Sequence, residues 1–279
     1  MPYIDISQSN SRALQLHYQD FGKGRPIVLI HGWPLSSRTW EPQIADLVEA
    51  GFRVIAYDRR GFGSSTQPWT GYDYDTLAQD LHELIAELSL QDVTLVGFSM
   101  GGGEVARYLG LHGSSFIRSA VFAAAVPPYL FKSDTNPEGA VTDQDVKKKE
   151  GAVLADRLEF LEEFTQKFFS DASGKLLVSE SQRAYVKMIA AFASPKGTHD
   201  CIGAFSRTDF REDLEKIDVP TLVIHGDSDQ IVPIEVSGLR THKAVKGSEL
   251  HVIKNGPHGC NLSHAKEFNR ALIAFLKAH

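Results

Sequence analysis

Ser99 stands at the centre of Gly97-Phe98-Ser99-Met100-Gly101. A serine hydroxyl is a poor nucleophile at neutral pH. It needs a base within hydrogen-bond reach, and the base needs an acid that fixes its tautomer and stabilises its cation. The chain offers both downstream. The acid lies in the run from Ile224 to Pro233, where Asp227 and Asp229 compete. Asp229 is further out and is followed by Ile231, Val232 and Pro233, which can shield and anchor it, so Asp229 is favoured. Asp227, nearer the preceding strand, is expected to hydrogen-bond loop amides. For the base, His242, His251, His258, His264 and His279 all follow Asp229. His251 belongs to a strand, His242 to a helix, His264 to a helix start and His279 to the chain end. His258, within Asn255-Gly256-Pro257-His258-Gly259, sits on a loop just past the last strand, where its ring can be aimed. Attack on a carbonyl also creates an oxyanion, which needs two fixed donors. The backbone N–H of Met100 is one. The other is expected from His31-Gly32-Trp33-Pro34, where Trp33 carries an N–H and Pro34 has none. His31 itself is read as a buried histidine that shapes this loop.

These groups need a frame that brings them together. The stretch Asp92 to Val96 is apolar and β-branched and reads as a buried strand, and Gly101 to Leu109 reads as a helix. A serine between strand and helix sits on a very tight turn, its hydroxyl held out at the positive end of the helix dipole. The five-letter string alone arises by chance in many chains; in this context it marks an activated nucleophile. Further strands are expected in an edge hairpin over 3–20, then at 27–30, 54–57, 117–123, 219–224 and 250–253. Helices are expected over 40–50, 74–88 and 265–276, the last capped by Ser263. Strands alternating with helices imply a mostly parallel sheet with helices on both faces. Residues 127–213 break the alternation, with helical patterns and no strand. Phe160, Phe164 and Phe168 recur every four residues and line one helix face. That segment reads as a lid whose inner face is also the ceiling of a pocket.

Bulk properties narrow the function. The 279 residues suffice for one large α/β domain with an insertion. With a net charge of −6, neither nucleic acid nor an anionic membrane is an expected partner. Two cysteines, Cys201 and Cys260, support no disulfide framework. Met1 to Asp5 lacks the basic and apolar regions of a signal peptide, so a cytoplasmic setting is expected. No apolar stretch is long enough to span a membrane. The histidines do not fall at metal-ligand spacings, and neither a metal nor a cofactor is expected. Asp58-Arg59-Arg60-Gly61-Phe62-Gly63 lacks the Lys-Ser/Thr ending of a phosphate loop and reads as a turn stiffened by its Asp and Arg side chains.

Five motifs in order resemble the α/β-hydrolase superfamily over nearly the whole chain. They are His31 to Leu35, Tyr57 to Ser65, Gly97 to Glu104, His225 to Pro233 and Pro257-His258-Gly259. More narrowly they look like the cofactor-free bacterial haloperoxidase and perhydrolase group, which also holds aryl esterases and γ-lactamases. The resemblance implies an eight-stranded, mostly parallel sheet with flanking helices. Its core is expected over 1–126 and 214–279, with a helical cap over 127–213 inserted between strands. It implies Ser99, Asp229 and His258 as triad, with Trp33 and Met100 as oxyanion donors. It suggests a small apolar pocket lined by Trp33, Val126, Phe164, Phe168, Phe205 and Ile231. The implied reaction is hydrolysis of small acyl or aryl esters through an acyl-enzyme, with water or hydrogen peroxide as the second reactant. Peroxide gives a peracid, which oxidises halide in solution. In relatives the position of Pro34 tunes the choice between the two. Relatives also self-associate, so a homo-oligomer is compatible with the resemblance, although no interface is legible in the letters. Hydrolysis of a small cyclic amide by the same triad is the alternative enzyme reading. A non-catalytic receptor on this fold is the other, and a complete triad weighs against it. Dehalogenases and epoxide hydrolases of this fold use a carboxylate nucleophile, so Ser99 argues against both.

Overall fold

The computed structural model describes residues 2–6 and 14–279, so the link between the two strands of the expected hairpin lies outside the described residues, as does Met1. Among the described residues eight strands form one sheet. They are β1 (Tyr3–Ile6), β2 (Leu14–Gly22), β3 (Pro26–Ile30), β4 (Arg53–Tyr57), β5 (Val93–Phe98), β6 (Ile117–Ala123), β7 (Thr221–Gly226) and β8 (Glu249–Ile253). Their spatial order is β1-β2-β4-β3-β5-β6-β7-β8. The pairs β1/β2 and β2/β4 are antiparallel, and all others are parallel. β2 runs to Gly22, past the end of the expected hairpin at residue 20, because its second half pairs with β4, from Tyr18 opposite Tyr57 to Gly22 opposite Arg53. All six residues of β5 are buried, which requires cover on both faces of the sheet.

The helices supply that cover. A 3-10 turn over Ser37–Trp40 leads into α1 (Glu41–Glu49), α2 (Tyr74–Glu87) precedes β5, and α3 (Met100–His112) follows it. Five helices fall between β6 and β7: α4 (Asp143–Ala155), α5 (Arg157–Phe169), α6 (Glu180–Ala191), α7 (Pro195–Arg207) and α8 (Arg211–Glu215). The chain closes with α9 (Gly238–Ala244), α10 (Cys260–Ser263) and α11 (Ala265–Ala278). α1 packs against α11, and α2 and α8 pack against α3. The inserted helices carry strong start signals: Thr142 and Asp145 form a reciprocal capping box at α4, and Asp156, Ser179 and Ser194 cap α5, α6 and α7. Ser263 does not cap α11. That helix has His264 at its cap position without a side-chain cap bond, because the Ser263 hydroxyl donates to the Gly259 carbonyl within α10.

Candidate active site

β5 ends at Phe98, and the chain turns at once into α3, so Ser99 adopts φ 54° and ψ −118°. Such a backbone is costly for a side-chain-bearing residue and persists only when its neighbours enforce it. The flanking glycines make room for it. A Cβ on Gly97 would strike the Gly101 carbonyl oxygen, and one on Gly101 would strike the carbonyl of Ile30 in β3. Ser99 N–H donates to the Ala123 carbonyl at 2.9 Å, which pins the turn to β6.

The triad candidates meet here. Ser99 Oγ lies 2.9 Å from His258 Nε2, and His258 Nδ1 lies 2.6 Å from Asp229 Oδ2. All three residues are buried. Asp229 follows β7, and its Oδ1 accepts the backbone N–H groups of Ile231 at 2.9 Å and Val232 at 2.8 Å. Burial alone would raise its carboxyl. The adjacent His258 and a hydrogen bond from His225 outweigh burial and hold it well below the usual carboxylate range. An ionised Asp229 keeps the proton on His258 Nδ1, so Nε2 is free to accept from the Ser99 hydroxyl. Asp227, the competitor, is exposed and accepts the Asn255 N–H at 2.6 Å, the loop role expected of it.

His225 is a functional neighbour that the motifs alone do not single out. It is fully buried four residues before Asp229, and its Nε2 lies 2.8 Å from the Val232 carbonyl and 3.2 Å from Asp229 Oδ2. Nε2 therefore carries a proton, donated to the Val232 carbonyl and shared with Asp229 Oδ2, the same oxygen that faces His258. The one signal for it is the spacing within the His225 to Asp229 run, which places both side chains at the end of β7.

The Trp33 loop is shaped by a buried polar network. Arg59 N–H donates to His31 Nε2 at 3.0 Å, so His31 carries its proton on Nδ1 and donates to the Gly32 carbonyl at 2.8 Å. Burial and the Arg59 charge lower the His31 pKa to about 3, which keeps the ring neutral. The Arg59 guanidinium bonds the His31 carbonyl at 2.7 Å and pairs with Glu104, which also accepts from the Tyr57 hydroxyl at 2.6 Å. Since Glu104 belongs to α3, one network ties the Trp33 loop to the helix that follows Ser99. Met100 is the first residue of α3, where a backbone N–H has no partner within the helix.

The expected pocket residues surround these groups. The Trp33 ring lies 5.4 Å from Phe164, 5.3 Å from Phe205 and 6.0 Å from Phe160, centroid to centroid. Its indole N–H donates to the Thr198 carbonyl of α7 at 3.0 Å. Phe164 leads to Phe168, whose ring packs edge-on against His258 at 5.2 Å. Val126 N–H donates to the Ser99 carbonyl at 3.2 Å, and Ile231 is half-buried beside Asp229. The Phe stripe of α5 thus spans from Trp33 to His258. Cys260 is buried, and burial raises its thiol far above neutrality, so it offers no thiolate.

Comparison with known proteins agrees with this geometry. Residues 25–265 match the family model for the alpha/beta hydrolase fold. A bromoperoxidase structure from Bacillus anthracis superposes with a TM-score of 0.96 at 59% identity, covering 99% of each chain. A non-heme chloroperoxidase of Kitasatospora aureofaciens is 45% identical over 94% of this chain and 96% of its own. A bifunctional esterase/perhydrolase of Acinetobacter calcoaceticus is 36% identical over 95% of this chain and 97% of its own. Among the described residues no helix is long and apolar enough to cross a membrane.

Proposed function

Because this chain belongs to the α/β-hydrolase family, in its non-heme haloperoxidase and perhydrolase group, we propose that Ser99, His258 and Asp229 carry its chemistry as nucleophile, base and acid. The enzyme is an esterase with perhydrolase and haloperoxidase activity. The observation that carries the assignment of roles is the unbroken line of hydrogen bonds, 2.9 Å from Ser99 Oγ to His258 Nε2 and 2.6 Å from His258 Nδ1 to Asp229.

In this reading His258 Nε2 takes the hydroxyl proton as Ser99 Oγ bonds to the ester carbonyl carbon, and Asp229 stabilises the imidazolium. The negative oxygen faces the N–H groups of Trp33 and Met100, each worth about 2.7–4 kcal/mol of transition-state stabilisation. The C–O bond to the alcohol breaks, and the alcohol leaves with the proton from His258. Water then gives its proton to His258 and attacks the acyl carbon, releasing the acid and restoring the Ser99 hydroxyl. Hydrogen peroxide in the place of water releases a peracid, which oxidises halide in solution. Residues 127–213 act as a cap, with Phe164 and Phe168 of α5 and Phe205 of α7 forming its apolar ceiling together with Trp33, Val126 and Ile231. We infer that this apolar ceiling takes small acyl groups. α8 crosses position 213 and packs on α3, so the cap joins the core through that helix.

The test is a series of p-nitrophenyl esters of rising acyl length, assayed with and without hydrogen peroxide and bromide. Turnover should fall sharply beyond short chains, and peroxide should yield peracid and brominated phenol red. Equal rates on long chains would reject the small pocket, and absence of peracid would reject the peroxide branch.

A further inference from the structure

His225 lies near the end of β7, opposite Val252 of β8, and is fully buried. One of its nitrogens faces two acceptors: Nε2 stands 2.8 Å from the Val232 carbonyl and 3.2 Å from Asp229 Oδ2. Nδ1 is buried and has no hydrogen-bond partner among the described residues, so the polar hold on the ring passes through Nε2–H. Backbone closes on the ring at Nδ1. α9 packs on β7, and a Cβ on Gly238 would stand 2.6 Å from Nδ1 and 3.0 Å from Cγ. Any side chain at position 238 would push the imidazole, and glycine is what lets α9 close on it.

With this ring in place Asp229 has a full set of donors. Oδ1 accepts the N–H groups of Ile231 at 2.9 Å and Val232 at 2.8 Å, and Oδ2 faces His258 Nδ1 at 2.6 Å as well as His225 Nε2. An ionised carboxylate offers about four lone-pair sites, and all are taken. Val232 closes the circuit, since its N–H binds Oδ1 while its carbonyl accepts from His225. Burial would raise the Asp229 carboxyl, but the charge of His258 and the hydrogen bonds from His225 and His258 prevail and keep it ionised. Among the described residues the His225 ring makes no hydrogen bond to Ser99 or His258, so whatever it does for the reaction passes through Asp229.

We propose that His225 is a positioning residue for the triad: its Nε2–H holds Asp229 Oδ2 toward His258 Nδ1 and shares the carboxylate charge while His258 carries the proton taken from Ser99. The proposal rests on the triad reading above. No proton leaves His225 in any step. As His258 becomes an imidazolium, a second donor on Oδ2 lowers the affinity of that oxygen for the proton on Nδ1, so the proton stays on the ring. Without that donor Oδ2 can turn away from His258. Misplacement by about 1 Å at such a site costs roughly a hundredfold in rate.

His225→Leu keeps a buried side chain of similar size and removes the donor, whereas His225→Gln places an NH2 group as many bonds from the backbone as Nε2. With p-nitrophenyl acetate, His225→Leu should lower kcat roughly tenfold to a hundredfold with KM within about threefold of wild type, and His225→Gln should recover most of the loss. In proton NMR the deshielded His258 Nδ1–H signal should move in His225→Leu and keep its place in His225→Gln. Gly238→Ala presses on the ring from α9, since the atoms nearest its new methyl group all belong to His225, and it should cause a smaller fall in kcat and move the same signal. Thermal melts establish that each variant is folded. Should His225→Leu fail to fold, His225→Gln and Gly238→Ala carry the test. A wild-type kcat in folded His225→Leu, equal damage in the Gln and Leu variants, or a Gly238→Ala chain with both rate and signal unchanged would overturn the proposal. Ser99→Ala in the same assay separates the two failures: if it is inactive the triad stands, and those results strike only the role of His225.

Discussion

Replacing Asp229 by asparagine exchanges one oxygen for an NH2 group, and the loop dictates which one. Oδ1 accepts two backbone N–H groups, from Ile231 at 2.9 Å and Val232 at 2.8 Å. An NH2 group cannot stand there, so it takes the Oδ2 place, facing His258 Nδ1 at 2.6 Å and His225 Nε2 at 3.2 Å. Donor then meets donor, unless His258 moves its proton from Nδ1 to Nε2. In that tautomer Nε2 can no longer accept from Ser99. A wrong tautomer at such a site costs about 10⁴ in kcat, or about 5 kcal/mol of transition-state stabilisation. Asp227→Asn is the internal control. It keeps an oxygen to accept the Asn255 N–H, and its exposed carboxylate touches none of the three groups, so kcat should fall by less than roughly tenfold. The assay is the initial rate on p-nitrophenyl acetate for both variants, with thermal melts to show that each is folded. A folded Asp229→Asn enzyme within tenfold of wild type, or an Asp227→Asn enzyme damaged as severely, would refute the reasoning.

Phe164→Ala removes the ring between Trp33 and Phe168. Melting should show a loss of about 3–5 kcal/mol, and the ratio of kcat/KM for hexanoate over acetate esters should rise roughly tenfold. Gly101→Ala drives a methyl group into the Ile30 carbonyl, and urea unfolding should register about 1–3 kcal/mol of destabilisation together with a fall in kcat. His31 is held neutral with its pKa lowered to about 3, whereas the unfolded chain protonates it near 6.5. Its contribution is therefore intact above pH 6.5 and is lost as pH falls toward 3, at a slope approaching about 1.4 kcal/mol per unit, and His31→Asn should flatten the curve measured by urea unfolding at successive pH values.

The frame and the meeting of Ser99, Asp229 and His258 were legible because each rests on local chemistry. Continuous β-branched runs such as Val93 to Val96 make buried strands, and Gly97 and Gly101 leave space that only a tight turn uses. Asp229 could be told from Asp227 by the apolar anchor of Ile231, Val232 and Pro233 just beyond it. The features that were not legible depend on residues far apart in sequence. Arg59, just past β4, meets Glu104 only because β4 pairs with β3 and α3 packs against β3, so the network that makes His31 structural has no local mark beyond the presence of charged residues in apolar company. The second half of β2 follows from its pairing with β4. Ser263 reads as a cap by type, yet its hydroxyl is drawn back to Gly259 by a short helix that four residues do not announce.

Intact-mass analysis after reaction with a fluorophosphonate tests the proposed nucleophile most directly. The wild-type chain should gain a single phosphonyl group, located on Ser99 by peptide sequencing, with loss of esterase activity in step, and His258→Ala should remain unmodified over the same period. A Ser99→Ala chain that still hydrolyses the ester, or an adduct mapped to any other residue with activity lost, would contradict it.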